Sequence, residues 1–331
     1  MKHSRTLTGK FLEKGFKRPR LARIAPNLAG ADSEDQTYLV AMGLYPVPDP
    51  APSAGSGNTL IAPFAASHYY RSCVNELKGL ASELRRETGL RKQHVRIFSN
   101  SRLPERSIAA ALGIGWVGRN GLLMNREYGS SFVLAGILAA LNDREAARLE
   151  ETAELPLISS LEAPEDPHRE CGSCRACVSA CPVGAIAEQG GVRLERCLQY
   201  LATTTEDLPG FALTVWGGRL YGCMDCQSSC PVNRQRSFHA GGKKLPREEY
   251  PIWELLREFA APSKKSLKEI FPGTALEAGW IPRKAILRNL LIAAGNSGDS
   301  SLEQLIRPFL NETDPMLARA AAHSLNRISS I

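Results

Sequence analysis

The residues of this chain best suited to chemistry are its cysteines. Eight of the nine fall between residues 171 and 230. The stretch CGSCRACVSACP, residues 171–182, places four of them at the spacing C-x2-C-x2-C-x3-C and ends on a proline. In a chain without a secretory signal, thiols this close together are more typical of metal ligation than of disulfides.

The spacing predicts two 4Fe–4S clusters. In two-cluster ferredoxin modules with this run, three of its cysteines bind one cluster and the fourth, which points away, binds the other. The first cluster then lacks one ligand and the second lacks three, and four further cysteines follow in the chain. We expect the first cluster to be bound by Cys171, Cys174, Cys177 and Cys230, and the second by Cys181, Cys197, Cys223 and Cys226.

Two zinc sites are the alternative use of eight thiolates. Zinc sites usually consist of paired C-x2-C motifs and lack the C-x2-C-x2-C-x3-C-P run. The ninth cysteine, Cys73, lies on the apolar side of a predicted helix and is expected to be a free thiol in the core.

A second candidate site is the glycine-rich stretch GIGWVGRN, residues 113–120. Its spacing G-x-G-x-x-G is that of a dinucleotide-binding loop, which needs a strand before it and a helix opening at it. The preceding residues 103–112 predict a helix instead, so Gly113 is expected to end that helix. The loop can still approach a ligand closely, and its candidate contacts are Gly113, Gly115, Trp116, Gly118, Arg119 and Asn120.

The elements that must position these sites predict three consecutive domains. Residues 37–47 and 94–99 predict strands, and residues 69–89 predict an amphipathic helix that ends at Gly89. Residues 131–141 are apolar and predict a buried strand or a strand–helix edge. The expected organisation is α+β/α, with an α/β domain over residues 1–159, a two-cluster ferredoxin-like module over 160–234, and a helical linker with HEAT-like repeats over 235–331.

The C-terminal part predicts short paired helices. In residues 283–298 apolar side chains recur on one stripe, and Gly295 is expected to stop that helix. Ser300 and Glu303 have the spacing of a capping box, while Asp314 followed by Pro315 predicts another helix start. Such pairs resemble HEAT-type repeats, which need neighbours to bury their faces.

Positive charge is concentrated near the N-terminus. The 331-residue chain has a formal net charge of +7, from 41 Lys and Arg against 34 Asp and Glu. Residues 1–25 contain one acid, Glu13, and the bases Lys2, Arg5, Lys10, Lys14, Lys17, Arg18, Arg20 and Arg23. A second basic cluster comprises Arg234, Arg236, Lys243, Lys244 and Arg247. Such clusters suit a polyanion such as nucleic acid; the alternatives are a solvated face or a targeting segment.

The hydropathy pattern argues against a membrane protein. The chain has no apolar run of roughly eighteen residues, the length that a spanning helix needs. No apolar segment follows the basic N-terminus, as it would in a secretory signal. A cytoplasmic location without a membrane partner is therefore expected.

Several motifs together resemble the epoxyqueuosine reductase family. The glycine stretch LGIGWVGRNGLLMN is similar to that family's AGLGWIGKN-type segment. The cysteine motifs follow in the family's order, and the tail resembles its segment entering the HEAT-like repeats. The resemblance covers residues 60–331, and the motifs are CGSCRACVSACPVGAI, RCLQYLATTTE, YGCMDCQSSCPVNR and FPGTALEAGWIPRKAILRNLLIAAGNSGD.

The resemblance implies cofactors, a substrate and partners. A base-off cobalamin would lie in the N-terminal domain next to the second cluster, and the clusters would pass electrons singly to cobalt. The reaction would be the two-electron removal of the epoxide oxygen from epoxyqueuosine in tRNA. An external donor such as flavodoxin or ferredoxin would supply the electrons, and the protein would be a monomer. The implied cobalamin contacts are Ser99, Arg106, Gly113, Gly115, Trp116, Gly118, Arg119 and Asn120.

The stretch IFSNSRLPER, residues 97–106, departs from the family's V-D-S-A-P-x-x-E pattern. Aligning Glu105 with the family glutamate places Ser99 where the acidic proton donor belongs. A hydroxyl can only donate a hydrogen bond, whereas the departing oxygen needs a proton. The chain is therefore interpreted as a divergent member with another substrate, with a proton source such as water, or as an electron carrier. Glu105 and Arg106 are retained, either as cofactor contacts or as an exposed pair at a helix start.

Overall fold

The computed structural model describes residues 6–29, 37–47, 57–142, 145, 155–161, 168–237 and 249–330. The chain forms two compact units, each assembled from three separate segments. Unit 1 comprises residues 1–47, 69–174 and 232–240, and unit 2 comprises residues 48–68, 175–231 and 241–331. The three consecutive domains expected from the sequence stay a prediction, because the two compact units are defined by spatial contacts and each combines segments that are distant in sequence.

The described residues contain ten strands, most of them short. They are β1 Lys17–Ile24, β2 Thr37–Pro46, β3 Asn58–Ile61, β4 Val95–Phe98, β5 Trp116–Val117, β6 Leu123–Met124, β7 Phe132–Leu141, β8 Leu157–Ile158, β9 Arg219–Tyr221 and β10 Glu249–Pro251.

Most of the described helices are short, and three of them have fifteen residues or more. The α-helices are α1 Leu7–Glu13, α2 Pro26–Ala29, α3 Pro63–Ala66, α4 Tyr69–Thr88, α5 Glu105–Ala111, α6 Ala176–Ala180, α7 Leu198–Leu201, α8 Gly210–Leu213, α9 Asp225–Ser228, α10 Pro231–Gln235, α11 Ile252–Ala260, α12 Leu267–Ile270, α13 Arg283–Ser297, α14 Glu303–Ile306 and α15 Pro315–Ser329. Turns of 3-10 helix cover Lys92–His94, Arg169–Cys171, Leu194–Arg196, Ala275–Glu277, Ser300–Leu302 and Arg307–Asn311.

Unit 1 is built on a five-stranded sheet in the order β4-β7-β2-β1-β8. Every pairing in it is antiparallel except that of β1 with β8. Side chains of β2 alternate between the two faces: Leu39 packs with α1 and α4, whereas Val40 packs with α5. Both faces are thus covered, which explains why β7 is a continuous apolar run. The expected mixed α/β class is confirmed, although this sheet is mainly antiparallel.

The basic N-terminal segment belongs to the body of unit 1. Its residues 7–24 form α1 and β1, and β1 lies between β2 and β8. In α1, Lys10 Nζ lies 2.5 Å from Glu87 Oε1, and Lys14 Nζ lies 3.7 Å from Glu76 Oε2. Residues 7–24 are therefore part of the fold of unit 1.

Unit 2 contains the three-stranded sheet β10-β3-β9 and the C-terminal helices. Its core is formed by apolar side chains of α7, β9, α11, α13 and α15. No described helix combines the length and the apolar character needed to cross a membrane.

The helix starts and stops of unit 2 differ in part from expectation. Helix α13 continues through Gly295 to Ser297 and is capped by Gly298 at φ +68°, so the predicted stop at Gly295 is wrong. A Cβ on Gly295 would lie 2.6 Å from Ser324 Cα of α15, and the glycine therefore serves close helix packing. The predicted N-cap Asp314 is confirmed, since its Oδ1 accepts the Met316 N–H at 3.0 Å.

The predicted capping box at Ser300 and Glu303 is also wrong. The Asp299 carboxylate accepts the Ser301 N–H at 2.9 Å and caps the 3-10 turn instead. A capping box does occur in α12, where Ser266 and Glu269 exchange hydrogen bonds. Helices α13 and α15 pack against each other; their relation to HEAT repeats stays a prediction.

Candidate cluster and cofactor sites

The two cysteine-rich motifs fold in the same way. In each, a one-turn helix carries a cysteine and is preceded and followed by others. Helix α6 carries Cys177 and is followed by Cys181, and helix α9 carries Cys226 and is preceded by Cys223. Helices α6 and α9 pack against each other within unit 2.

The predicted ligand sets divide differently between the units. The second set, Cys181, Cys197, Cys223 and Cys226, lies entirely in unit 2. Of the first set, Cys171 and Cys174 belong to unit 1, whereas Cys177 and Cys230 belong to unit 2. Among the described residues, no three His, Cys, Asp or Glu side chains are grouped so that they could hold a single metal ion.

In the second set, Cys181, Cys197 and Cys223 pack against the unit 2 core, and the thiols of the set influence one another. Burial raises the pKa of Cys223 to about 11, and the nearby Asp225 carboxylate contributes. Burial also raises the pKa of Cys226, and the neighbouring Cys223, Cys177, Cys197 and Cys181 add to the rise. Iron must therefore displace protons from these thiols when it binds as a cluster.

Hydrogen bonds from Ala185 and Arg219 order this group. The Ala185 N–H donates to Cys181 Sγ at 3.2 Å, a type of bond that tunes cluster sulfurs. Between Cys223 and Cys226, the Asp225 carboxylate accepts from the Arg219 guanidinium at 2.6 Å. The same guanidinium donates to the Trp216 carbonyl at 2.6 Å. The turn from β9 into α9 is thereby fixed on the core.

Unit 1 contains a pocket of about 500 Å³ beside α5 and the start of β7. Its wall combines leucines and other apolar side chains with a few polar groups, the composition typical of a ligand site. The lining residues are Tyr70, Asn100, Ser101, Leu103, Pro104, Glu105, Arg106, Ser107, Leu122, Leu123, Ser130, Phe132, Val133 and Leu134. Of the predicted cofactor contacts, Arg106 lines this pocket.

The loop after β4 is ordered by Glu105. The Glu105 carboxylate accepts the Asn100 N–H at 3.1 Å and the Ser101 N–H at 2.6 Å. Asn100 adopts a left-handed conformation with φ +54°, which asparagine tolerates better than most residues. Ser99 is half-buried, and its hydroxyl donates to the Leu134 carbonyl at 2.7 Å. Ser99 is therefore not itself a lining residue, but it is bonded to one, Leu134, and directly precedes another, Asn100.

The glycine loop packs against other parts of unit 1. Helix α5 ends before Gly113, and β5 follows, which is the reverse of the dinucleotide-binding order. A Cβ on Gly115 would lie 2.0 Å from the Met124 carbonyl oxygen, so this glycine permits close pairing of β5 with β6. Asn120 Oδ1 accepts the Leu122 N–H at 3.2 Å. Leu122 is itself one of the residues that line the pocket.

Two side chains of the glycine loop carry buried polar atoms. Arg119 is 8% exposed, and its Nη2 donates to the carbonyl of Gly172 at 2.8 Å. Gly172 lies between Cys171 and Cys174, so Arg119 connects the glycine loop to the first cysteine motif. The indole Nε1 of Trp116 is buried and meets no acceptor among the described residues. Such an orphaned donor suits a bound group that carries acceptors.

Known proteins share both the cysteine module and the longer chain. The model of the 4Fe-4S double cluster binding domain matches residues 170–233. The chain is 30% identical to the epoxyqueuosine reductase of Salmonella typhimurium over 286 residues, which cover 86% of this chain and 67% of that protein. It is 30% identical to that of Bacillus subtilis over 227 residues, and the match covers 68% of this chain and 53% of the relative.

The chain belongs to the epoxyqueuosine reductase family. The resemblance noted in the sequence is thereby confirmed. The chain spans about half the length of several curated relatives, including 46% of that from Escherichia coli, to which it is 34% identical over 194 residues.

Solved epoxyqueuosine reductases share the fold. A crystal structure of one with a tRNA-Tyr epoxyqueuosine-modified tRNA stem loop superposes with a TM-score of 0.74 at 22% identity, covering 97% of this chain and 89% of that chain. The structure from Streptococcus thermophilus superposes with a TM-score of 0.72 at 19% identity, covering 98% and 90%.

One connection at the pocket of this epoxyqueuosine reductase family member is not apparent from its sequence pattern. Asn233 Oδ1 accepts the Ser130 N–H at 2.7 Å, and Asn233 Nδ2 donates to Ser130 Oγ at 3.0 Å. Both residues are buried. Asn233 lies three residues after Cys230 in the stretch C-P-V-N. This closeness to the cysteine motif is the one feature of the sequence that could have indicated a role for Asn233. The end of the second cysteine motif is thus hydrogen-bonded to a residue that lines the pocket.

Proposed function

We propose that this protein is an iron–sulfur, cobalamin-dependent reductase that converts epoxyqueuosine in tRNA to queuosine. The observation that carries the proposal is the presence of eight cysteines, enough to bind two 4Fe–4S clusters, in a chain of the epoxyqueuosine reductase family. Removing the epoxide oxygen as water and leaving a double bond takes two electrons and two protons. Cluster-bound iron delivers electrons one at a time.

The two clusters are assigned as the sequence predicts. The Cys226 thiol is influenced by Cys223, Cys197 and Cys181, which supports a shared second cluster, and also by Cys177, so a thiol assigned to the first cluster lies nearby. Cys171, Cys174, Cys177 and Cys230 would bind the first. In modules with this spacing, each cysteine motif gives one ligand to the other motif's cluster. The eight cysteines then supply four ligands to each cluster.

Cobalamin suits the surroundings of the unit 1 pocket. When bound base-off, its reduced cobalt would supply a nucleophile and reductant stronger than any protein side chain. The apolar wall at Leu122 and Phe132 and the guanidinium of Arg106 support binding of a large ring bearing amide groups. The glycine loop residues would hold the wall in shape from behind.

Proton delivery distinguishes this chain within its family. Among the lining residues Glu105 is the only acid, and its carboxylate is engaged by the backbone of Asn100 and Ser101. The Ser99 hydroxyl is engaged by Leu134. We infer that water, oriented by polar lining groups such as Asn100 and Ser101, protonates the departing oxygen.

The same observation favours a second candidate, a corrinoid iron–sulfur reductase with a different substrate. A substrate whose leaving group needs no strong acid would not require an aspartate at position 99. An electron-transfer protein without corrin is the third candidate. Under the leading proposal the partners are tRNA and a flavodoxin or ferredoxin, and the protein is a cytoplasmic monomer.

Purification and a deletion strain test the proposal together. Anaerobically purified protein should contain iron, sulfide and corrin, and tRNA from the deletion strain should accumulate epoxyqueuosine. A Cys226→Ser variant should fail to restore queuosine, whereas Cys73→Ser should restore it. Normal queuosine in the deletion strain would overturn the assigned substrate, and a brown protein without corrin would favour the electron carrier.

A further inference from the structure

Two polar side chains interrupt the buried face of helix α13. Arg288 is 1% exposed and Asn289 is 0% exposed. Long charged side chains are rarely buried this completely unless their donors are satisfied. Neither residue belongs to the cysteine motifs, and neither was singled out by its sequence pattern.

Arg288 hydrogen-bonds the segment that follows Cys197. Its Nη2 donates to the Leu201 carbonyl at 2.6 Å, and its Nη1 donates to the Thr204 carbonyl at 3.0 Å. Nη1 also donates to the Glu206 carbonyl. Helix α7 begins directly after Cys197 and ends at Leu201. The planar guanidinium thus holds three carbonyl oxygens at the end of the helix that Cys197 opens.

Asn289 extends this contact to the strand that precedes Cys223. Its Nδ2 donates to the Ala202 carbonyl and to the Leu220 carbonyl, each at 3.0 Å. Its Oδ1 accepts from Arg288 Nη2 at 2.9 Å. Leu220 lies in β9, three residues before Cys223. One pair of side chains therefore contacts both chain segments that bring Cys197 and Cys223 together.

We propose that Arg288 and Asn289 are positioning residues that fix Cys197 and Cys223 at the separation required by the second cluster. The inference rests on the proposed function only in that this cluster must exist. A lysine cannot reproduce the contact, because a single ammonium group lacks the planar fork that reaches several carbonyls at once. Geometry, and not charge alone, is therefore the property that matters.

The test compares Arg288→Lys and Asn289→Ala with Arg283→Lys in anaerobically purified full-length protein. Arg283 is a matched control on the same helix. Its Nε donates to the Lys265 carbonyl at 3.0 Å and its Nη2 to the Phe259 carbonyl at 3.4 Å, and neither acceptor lies in a cysteine-bearing segment. We expect the Arg288 and Asn289 variants to retain helical content and to contain about half the wild-type iron. Arg283→Lys should keep all of it.

Alkylation mapped by mass spectrometry gives a site-specific readout. In the Asn289→Ala protein, Cys197 and Cys223 should become reactive while Cys171 and Cys174 stay protected. Should Arg288→Lys fail to fold, the Asn289 variant decides alone. Full iron in the Asn289 variant, or equal iron loss in Arg283→Lys, would overturn the inference. A wild-type protein without iron would instead overturn the proposed function.

Discussion

The alignment of residues 97–106 with the family pattern predicts an acid at position 99, where this chain has the neutral hydroxyl of Ser99. Ser99 donates to the Leu134 carbonyl and is half-buried, whereas the next residue, Asn100, is exposed and lines the pocket. A carboxyl group at position 99 would face a carbonyl oxygen in a partly desolvated setting. Both conditions favour the protonated form and raise a carboxyl pKa. The position is therefore suited to a proton donor even though this chain does not carry one.

Replacing Ser99 with aspartate should restore general acid catalysis. Turnover of epoxyqueuosine-containing tRNA should rise by about 10²-fold, the lower end of the usual effect of a positioned acid. Single-turnover assays with chemically reduced protein measure it. Asn100→Asp is the matched control, because its exposed carboxyl would be ionised and should give little gain. An unchanged rate in Ser99→Asp would point to a different substrate.

The buried thiol of Cys73 gives stability a defined dependence on pH. Burial raises its pKa to about 12. The unfolded thiol ionises near pH 9, so above that pH ionisation favours unfolding until the folded pKa is reached. The stability that Cys73 contributes is fully present below pH 9 and is lost as pH rises toward 12.

A comparison of wild type with Cys73→Ala isolates this contribution. From pH 8 to pH 10, the free energy of unfolding of the wild type should fall by about 1.4 kcal/mol relative to that of Cys73→Ala. Urea unfolding at both pH values measures the change. The same difference at both pH values would show that the folded thiol ionises normally.

At the scale of elements, the helix pair α13 and α15 depends on small residues at its contact. Gly295 faces Ser324, whose hydroxyl donates to the Leu291 carbonyl at 2.6 Å and to the Ala320 carbonyl at 2.8 Å. The serine is thus held by both helices. Any side chain at position 295 must push the helices apart.

Gly295→Ala should therefore destabilise unit 2. Overpacking of this kind costs about 1–3 kcal/mol, although alanine favours the helix itself. Thermal unfolding followed by circular dichroism measures the loss. Gly279→Ala is the control, because a Cβ there meets no atom within 4 Å. Equal melting temperatures for the wild type and the Gly295 variant would contradict the close contact.

Local sequence information predicted the elements whose cause is local. The cysteine spacing, the apolar run of β7 and the Asp314 cap each depend on residues close in sequence. Gly295 was misread because its partner Ser324 lies in another helix, and a glycine near a helix end is normally a stop. The Ser130–Asn233 contact joins residues 103 positions apart. The Arg288 and Asn289 contacts were hidden for the same reason.

At the scale of the whole molecule, the excess positive charge is unevenly neutralised. Lys10 and Lys14 of the basic N-terminal segment pair with glutamates of α4. Arg18, Arg20 and Arg23 along β1 are exposed, and in the described residues none of them has an ion-pair partner. Of the second basic cluster, Arg236 is buried, and Lys243, Lys244 and Arg247 lie outside the described residues. The arginines of β1 are therefore available to phosphates.

Replacing Arg18, Arg20 and Arg23 with alanine should weaken tRNA binding chiefly at low salt. With fewer phosphates neutralised, binding releases fewer counterions. The magnitude of the slope of log affinity against log salt should therefore fall by about 2. Filter binding over a salt series measures the slope. Lys10→Ala is the control, since that charge is already paired. A slope unchanged by the triple replacement would place the RNA elsewhere on the molecule.

The interleaved chain path orders events during synthesis. Unit 1 is completed only by residues 232–240, which supply the Asn233 partner of Ser130. A nascent polypeptide that has emerged from the ribosome only as far as residue 174 still lacks this partner. The hydrogen bonds between Ser130 and Asn233 at the pocket wall can therefore form only after both cysteine motifs have been translated.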